Sequence, residues 1–310
     1  MEIFLSGSIA YDRIMDFPGR FSDYILPDKI HILNVCFNVN GLVEKFGGTA
    51  GNIAYSLSLL EEKPNILATI GRDFQSYFEW LRKNGIPVDG IRIIADEFTA
   101  GAYITTDKAD NQITGFNPGA MKYPSNVSLD CSSPESCIAL IAPGNLEDMI
   151  GYAAVCREKG IRYICDPGQS LTKWEASQLA EWMRGSMALI SNDYELEIIM
   201  NVTGMDKKAL LGLTKFIITT LGEKGSLVVS SEFEAHIPAA KAESVVDPTG
   251  AGDAYRAGLI KGIVAGKQIE TAGRMGAVAA VYAVEKYGTQ EHSFTYDEFL
   301  ERYRSNFGEI

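Results

Sequence analysis

Runs of basic residues are absent from this chain. Its 28 lysines and arginines are outweighed by 40 acids, for a formal net charge of −12. A protein of that sign repels polyanions, so nucleic acid and anionic membranes are not expected as partners. Cysteine is scarce as well: the five present are odd in number and include no CxxC pair, so neither a disulfide framework nor a zinc site is expected. No stretch reaches 18 uninterrupted apolar residues, and the opening MEIFLSGSIAYD has no basic leader followed by a long apolar segment. These absences exclude a membrane-spanning helix and lead us to expect a cytoplasmic protein. There is no GxxxxGK[ST], and no strand-borne GxGxxG with a ribose-binding acid, so a Walker loop and a dinucleotide site are disfavoured. Internal repeats, low-complexity tracts and linkers are missing too. What is present is an ordinary globular composition, 46% apolar and 22% charged, which suffices for one sizeable core.

Short apolar runs alternate with amphipathic stretches. EIFLSGS (2–8) reads as a buried strand, and TAGNIAYSLSLLEE after it places Ile53, Ala54, Leu57 and Leu60 at helical spacing. The order continues with strands at 65–70, 137–142, 162–165, 187–191 and 215–220, and with helices that Gly85 and Gly160 end. Strands alternating with helices imply right-handed crossovers and an α/β fold with a doubly wound, mostly parallel sheet. Two segments, approximately 13–46 and 91–120, break the rhythm with short β-prone pieces and no crossover helix. They are expected to form either a small β-sheet lid over a cleft or an edge hairpin, inserted in a single domain spanning 1–310.

DPTGAGDAYRAG (247–258) carries the chemistry. Ala254, Ala257, Ile260 and Val264 are helically spaced after it, so the turn opens a helix. Helix N-termini present unpaired N–H groups and partial positive charge, and Gly250 and Gly252 let those groups converge on an anion such as phosphate. A local cradle of this kind overrules net charge. Asp253 fits two roles: a first-turn acid on the helix dipole, or a base that takes the proton of a hydroxyl attacking phosphorus.

The string DPTGAGD followed by alanine and an aromatic closely resembles the second signature of the PfkB, or ribokinase-like, family of carbohydrate and nucleoside kinases. Other motifs follow in the family's order. GGTAGNIA (47–54) resembles the first, glycine-rich signature, with Gly47, Gly48 and Asn52 at the acceptor substrate; packing at a helix start is its other reading. Asp12, after SGSIAY, matches the acid that binds sugar hydroxyls, and by itself reads as a turn aspartate. NDYE (192–195) resembles the N-x-x-E motif that orders Mg²⁺, and by itself reads as a helix cap with a first-turn acid. TTLGEKGS (219–226) resembles the nucleotide-binding loop through Thr220, Gly222 and Gly225, and by itself reads as a hairpin turn.

The resemblance implies a ribokinase-like fold and a Mg²⁺- and ATP-dependent phosphotransferase. Asp253 would be the base, with Gly250, Ala251 and Gly252 as its anion cradle. It leaves open a monovalent-cation requirement and whether the protein is a monomer or a homodimer. FPGRFSDYILPDK, DNQITGFNPGAM, DPGQ and YGTQEH look most like the adenosine and nucleoside kinase branch, which implies a nucleoside acceptor, adenosine first, with a sugar as the alternative. In that branch Phe116 would supply an apolar slot for a purine and Gln112 an in-plane hydrogen bond. Two positions depart from the pattern: Pro248 replaces a usual threonine, and Arg256 is placed to reach a phosphate or to pair with an acid.

Overall fold

Apolar runs too uniform to leave a polar face become strands covered on both sides. In the computed structural model, which describes all 310 residues, the first half of the chain forms β1 (Glu2–Ser6), β2 (Ala10–Asp16), β3 (Val43–Gly47), α1 (Thr49–Leu59), β4 (Asn65–Gly71), α2 (Gln75–Lys83), β5 (Ile91–Ile94), β6 (Ala100–Thr106) and β7 (Gln112–Asn117). The central part forms β8 (Cys137–Ile141), α3 (Leu146–Lys159), β9 (Arg162–Cys165), α4 (Ala176–Met183), β10 (Ser186–Asn192), α5 (Asp193–Thr203), α6 (Lys207–Leu210) and β11 (Thr214–Thr220). The remainder forms β12 (Ser226–Val229), β13 (Glu234–Ile237), α7 (Ala251–Val264), α8 (Ile269–Val284) and α9 (Tyr296–Phe307).

The larger sheet runs β13-β12-β11-β10-β9-β8-β1-β4-β5; the pairs from β5 through β11 are parallel, and β12 and β13 are antiparallel additions at one edge. Side chains alternate between its faces. Ile3, Leu5, Ile138 and Leu140 join the core under α1, α2, α7, α8 and α9. Phe4, Cys137, Ala139 and Ile141 join a second core under α3 to α6. The fold is therefore the three-layer, doubly wound α/β arrangement that the strand and helix order implies.

A separate four-stranded sheet, β3-β2-β6-β7, is built from the two segments that break the rhythm. Its boundaries differ from the sequence reading at both ends. Strand β2 already starts at Ala10, and Ile91–Ile94 pairs in parallel with β4 as the last strand of the large sheet. The alternation in IRII fits one face of an edge strand, and partner choice is a tertiary matter.

The cysteines also depart from expectation: Cys131 and Cys137 are joined in a disulfide. The chain doubles back through Ser133–Ser136 just before β8 and brings the two Cα atoms to 6.3 Å. A single pair six residues apart has no sequence signature. No helix is long and apolar enough to cross a membrane.

Candidate active site

In an open parallel sheet, ligands settle beyond the carboxyl ends of the strands, where the strand order reverses. Here the reversal is at β1, which has β4 on one side and β8 on the other. The ends of β8 and of β1 itself are tied to the start of α1. Thr49 donates its hydroxyl to the Pro143 carbonyl at 2.9 Å, and the Thr49 N–H goes to Ser8 Oγ at 3.0 Å. Three adjoining cavities open at this rim, and all of them touch the first turn of α7.

The first cavity, about 470 Å³, lies between the small sheet and α1; Asp12, Asn52, Phe116, Lys173 and Asp253 line it. Asp12 stands on β2 in register with Ala102 and, across β6, with Phe116. Its carboxylate makes no hydrogen bond within the protein, and burial raises its pKa. A methyl group on Gly47 would lie 2.7 Å from that carboxylate, so the first glycine leaves room for it. Gly48 has φ +87°, and a Cβ there would press on the Ser8 carbonyl at 2.6 Å. Gln112 is not brought to this cavity. It pairs with Thr106, four residues along the strand from Phe116, and is exposed.

The second cavity, about 450 Å³, is polar, with Asp166, Asp193, Glu195 and Asp253 facing the single cation Arg256. Arg256 makes a two-pronged, buried ion pair with Asp166 at the end of β9, Nη2 lying 2.7 Å from Oδ1, and donates through Nη1 to the Gly252 carbonyl at 3.0 Å. The Arg256 side chain thus pairs with an acid instead of standing free for a phosphate. Asn192 and Glu195 form a capping box on α5: Asn192 Oδ1 accepts the Glu195 N–H at 2.7 Å, and Glu195 Oε2 accepts the Asn192 N–H at 2.9 Å. Burial raises the Glu195 pKa, and the Asp166 charge adds to the rise. Thr220, at the end of β11, and Gly222 line this cavity too.

The third cavity, about 430 Å³, is apolar. It shares Thr220, Gly222 and Gly252 with the second, is bordered by Gly225, and is walled by Ala240, Val245, Tyr255, Ala277, Val281 and Val284. This chamber has no sequence signature, because its walls come from separate helices and a loop.

Asp253 sits where the first two cavities meet. Gly250 adopts the left-handed conformation (φ 80°, ψ −4°) as the residue before α7, which turns the helix N-terminus toward them. The N–H groups of Gly250, Gly252 and Asp253 have no protein partner, whereas that of Ala251 is donated to the Pro248 carbonyl at 3.2 Å. Desolvation pushes the Asp253 carboxyl up to about 7, against the opposing pull of Arg256 and a hydrogen bond from Asn52 Nδ2 to Oδ2 at 2.8 Å. A carboxyl so placed is ionised or protonated near neutrality, as a general base requires.

Asn52 is itself held. Its Oδ1 accepts from Gln290 Nε2 at 3.0 Å; Gln290 Nε2 also donates to the Tyr77 hydroxyl at 2.9 Å, and Trp80 Nε1 donates to Gln290 Oε1 at 2.8 Å. Gln290 lies in YGTQEH, and only its burial alongside residues 210 or more positions away reveals the link.

Residues 22–295 match the family described as pfkB family carbohydrate kinase. A nucleoside kinase of Methanocaldococcus jannaschii is 32% identical over 286 residues, covering 90% of this chain and 93% of the relative. The solved nucleoside kinase of Burkholderia thailandensis in complex with inosine superimposes with a TM-score of 0.87 at 33% identity, covering 99% of each chain. A second structure of that enzyme, in complex with ADP-inosine, has a TM-score of 0.84 at 35% identity and covers 99% of this chain and 96% of that one.

Proposed function

The chain belongs to the PfkB family of carbohydrate kinases, a phosphotransferase family that acts on alcohol groups, and from that premise we propose that it transfers a phosphoryl group from ATP to the 5′-hydroxyl of a nucleoside, adenosine first. The observation that carries this reading is Asp253, a carboxylate poised near neutrality beside free helix N–H groups at the junction of a cavity lined by Asp12 and Asn52 and a polar one.

In this reading the acceptor lies in the first cavity. Asp12 and Asn52 take ribose hydroxyls, and the Phe116 ring is the surface on which a purine stacks. Asp253 accepts the proton as the hydroxyl oxygen attacks the γ-phosphorus, whose bond to the β,γ-bridging oxygen breaks to release ADP. The transferring group is held by the N–H groups of Gly250 and Gly252, with Ala251 between them, in a transition state that rewards positioning more than base strength. The adenine of ATP enters the apolar third cavity, and its phosphates pass Thr220, Gly222 and Gly225. The small sheet acts as the lid that keeps water out.

The residues fit Mg²⁺. Four carboxylates face one arginine in the second cavity, yet no three of them cluster tightly enough to cage an ion. That suits a cation which keeps waters and phosphate ligands. Asn192 and Glu195 would hold it, and when bound it neutralises phosphate charge.

A sugar acceptor is the second reading, supported by a Haemophilus influenzae ribokinase that is 23% identical over 271 residues. ADP release with Mg²⁺-ATP, measured in parallel on adenosine, inosine, guanosine, cytidine, ribose and fructose, decides between them. We expect turnover on adenosine and little on free sugars. Turnover on a sugar alone would discard the nucleoside reading and the stacking role of Phe116.

A further inference from the structure

We infer that Trp80 and Gln290 are positioning residues which, through Asn52, keep a hydrogen-bond donor and not an acceptor facing the Asp253 carboxylate; this rests on Asp253 being the catalytic base. The polarity of the chain follows from chemistry alone. An indole N–H donates and cannot accept. Trp80 Nε1 lies 2.8 Å from one end of the Gln290 side-chain amide, so that end is the carbonyl. The other end is then the NH₂ group, and its two hydrogens meet the Tyr77 hydroxyl at 2.9 Å and Asn52 at 3.0 Å. Asn52 must therefore turn its carbonyl to Gln290 and its NH₂ to Asp253, where the contact is 2.8 Å.

Each link is buried or partly buried, so water does not readily compete for these groups. Gln290 is 4% exposed and Asn52 5%. Tyr77 passes its own proton to the Gly47 carbonyl at 2.7 Å, which leaves its lone pairs for Gln290. There is no space for a different arrangement around α1: a methyl on Gly51 would lie 2.0 Å from the Tyr77 oxygen and 3.2 Å from Gln290 Nε2. The indole is wedged in place, stacked on Phe46 and Tyr55 with ring centroids 5.2 and 5.6 Å apart. Without the donor-only indole at the end, only the Tyr77 lone pairs oppose the two amides turning over together, and in the turned-over arrangement Asn52 presents a carbonyl to Asp253. A carboxylate cannot tolerate that lone-pair contact, and the base would be held protonated. The device keeps the base ionised in a cavity that otherwise favours its neutral form.

The pH profile of kcat/KM tests it, with Gln290→Met, Trp80→Phe and Tyr77→Phe beside the unaltered protein. The other charged groups facing Asp253 are Arg256 on its own helix, Asp166 beyond β9, Asp193 and Glu195 on α5, and Asp12 and Lys173 across the cavity, and these substitutions leave all of them in place. Gln290→Met should move the acid limb up by about one pH unit, the size of part of one charge-assisted hydrogen bond, with activity recovered at higher pH. Trp80→Phe should move it in the same direction by less. Tyr77→Phe should lower stability and leave the limb where it is, since Trp80 still sets the polarity. An unmoved limb in folded Gln290→Met and Trp80→Phe, with activity lost equally at every pH, would overturn the relay.

The unaltered protein gives a reading that needs no variant. The Asn52 side-chain amide protons should shift in NMR spectra as Asp253 titrates, and their indifference to that titration would also overturn the relay. Asp253→Asn separates the two failures: if it abolishes turnover while the limb stays put in the other variants, the relay is wrong and the base assignment stands.

Discussion

Replacing Asp253 by asparagine should stabilise the protein while disabling it. The substitution keeps the shape and keeps an oxygen to accept the Asn52 Nδ2 proton, so the charge is what changes. Folding raises the Asp253 pKa from 3.8 to about 7, so between those values the folded protein holds a proton that the unfolded chain releases. By linkage the stability contributed by this group is complete below pH 4 and is lost as pH rises through 7. A shift of roughly three units corresponds to about 4 kcal/mol, and halving it for the water that reaches a partly exposed carboxyl leaves about 2 kcal/mol. For a chain of this length that is about 3 °C in Tm. The assay is thermal unfolding of both proteins from pH 4 to 8. The asparagine variant should match the unaltered protein near pH 4 and exceed it by about 3 °C at pH 8. A gap that does not vary with pH, or a variant less stable at pH 8, would refute the reasoning.

Other perturbations test other parts of the site. Arg256→Met leaves Asp166 charged and buried without its partner, so chemical denaturation should show a loss of about 3–5 kcal/mol, most of it regained on adding Asp166→Leu. Burial holds His292 at about 4, with Nδ1 unpartnered and Nε2 3.2 Å from Ser56 Oγ, so its sign is opposite to that of Asp253. Stability relative to His292→Phe should be full above pH 6.5 and fall by about 3 kcal/mol towards pH 4, as urea titrations at stepped pH would show. Gly250→Ala forces a side chain into the left-handed conformation and a Cβ to 3.1 Å from Thr289. It should cost about 1–2 kcal/mol in stability and lower kcat about tenfold by tilting the free N–H groups, read from steady-state kinetics on the folded variant.

The strand and helix order is legible because periodicity is local. Ile53, Ala54, Leu57 and Leu60 repeat at helical spacing and are all fully buried, and the runs around 65–70 and 215–220 lie within β4 and β11. The turn at 247–253 is legible for the same reason, since its glycines and acids lie within one turn of the helix they open. What depends on register or on distant pairing is not. Phe116 and Gln112 look equivalent in DNQITGFNPG, yet strand pairing puts one at the cavity and the other four residues away from it. The partner of Arg256 lies 90 residues earlier, and Gln290 meets Asn52 across 238. Neither link has a spacing that sequence can display. Asn192 and Glu195 show a further limit, since capping and metal binding ask for the same residues at the same interval, and here the capping box is formed.

The most direct test of the central claim is the product itself. After incubation with Mg²⁺-ATP and adenosine, the phosphorus-to-proton coupling in the NMR spectrum of the product identifies the hydroxyl that was phosphorylated, and its rate of formation is compared between the unaltered protein and Asp253→Asn. The expected product is the 5′-monophosphate, formed about 10²- to 10⁴-fold more slowly by the variant. A phosphate on another hydroxyl, or a variant as fast as the parent, would contradict it.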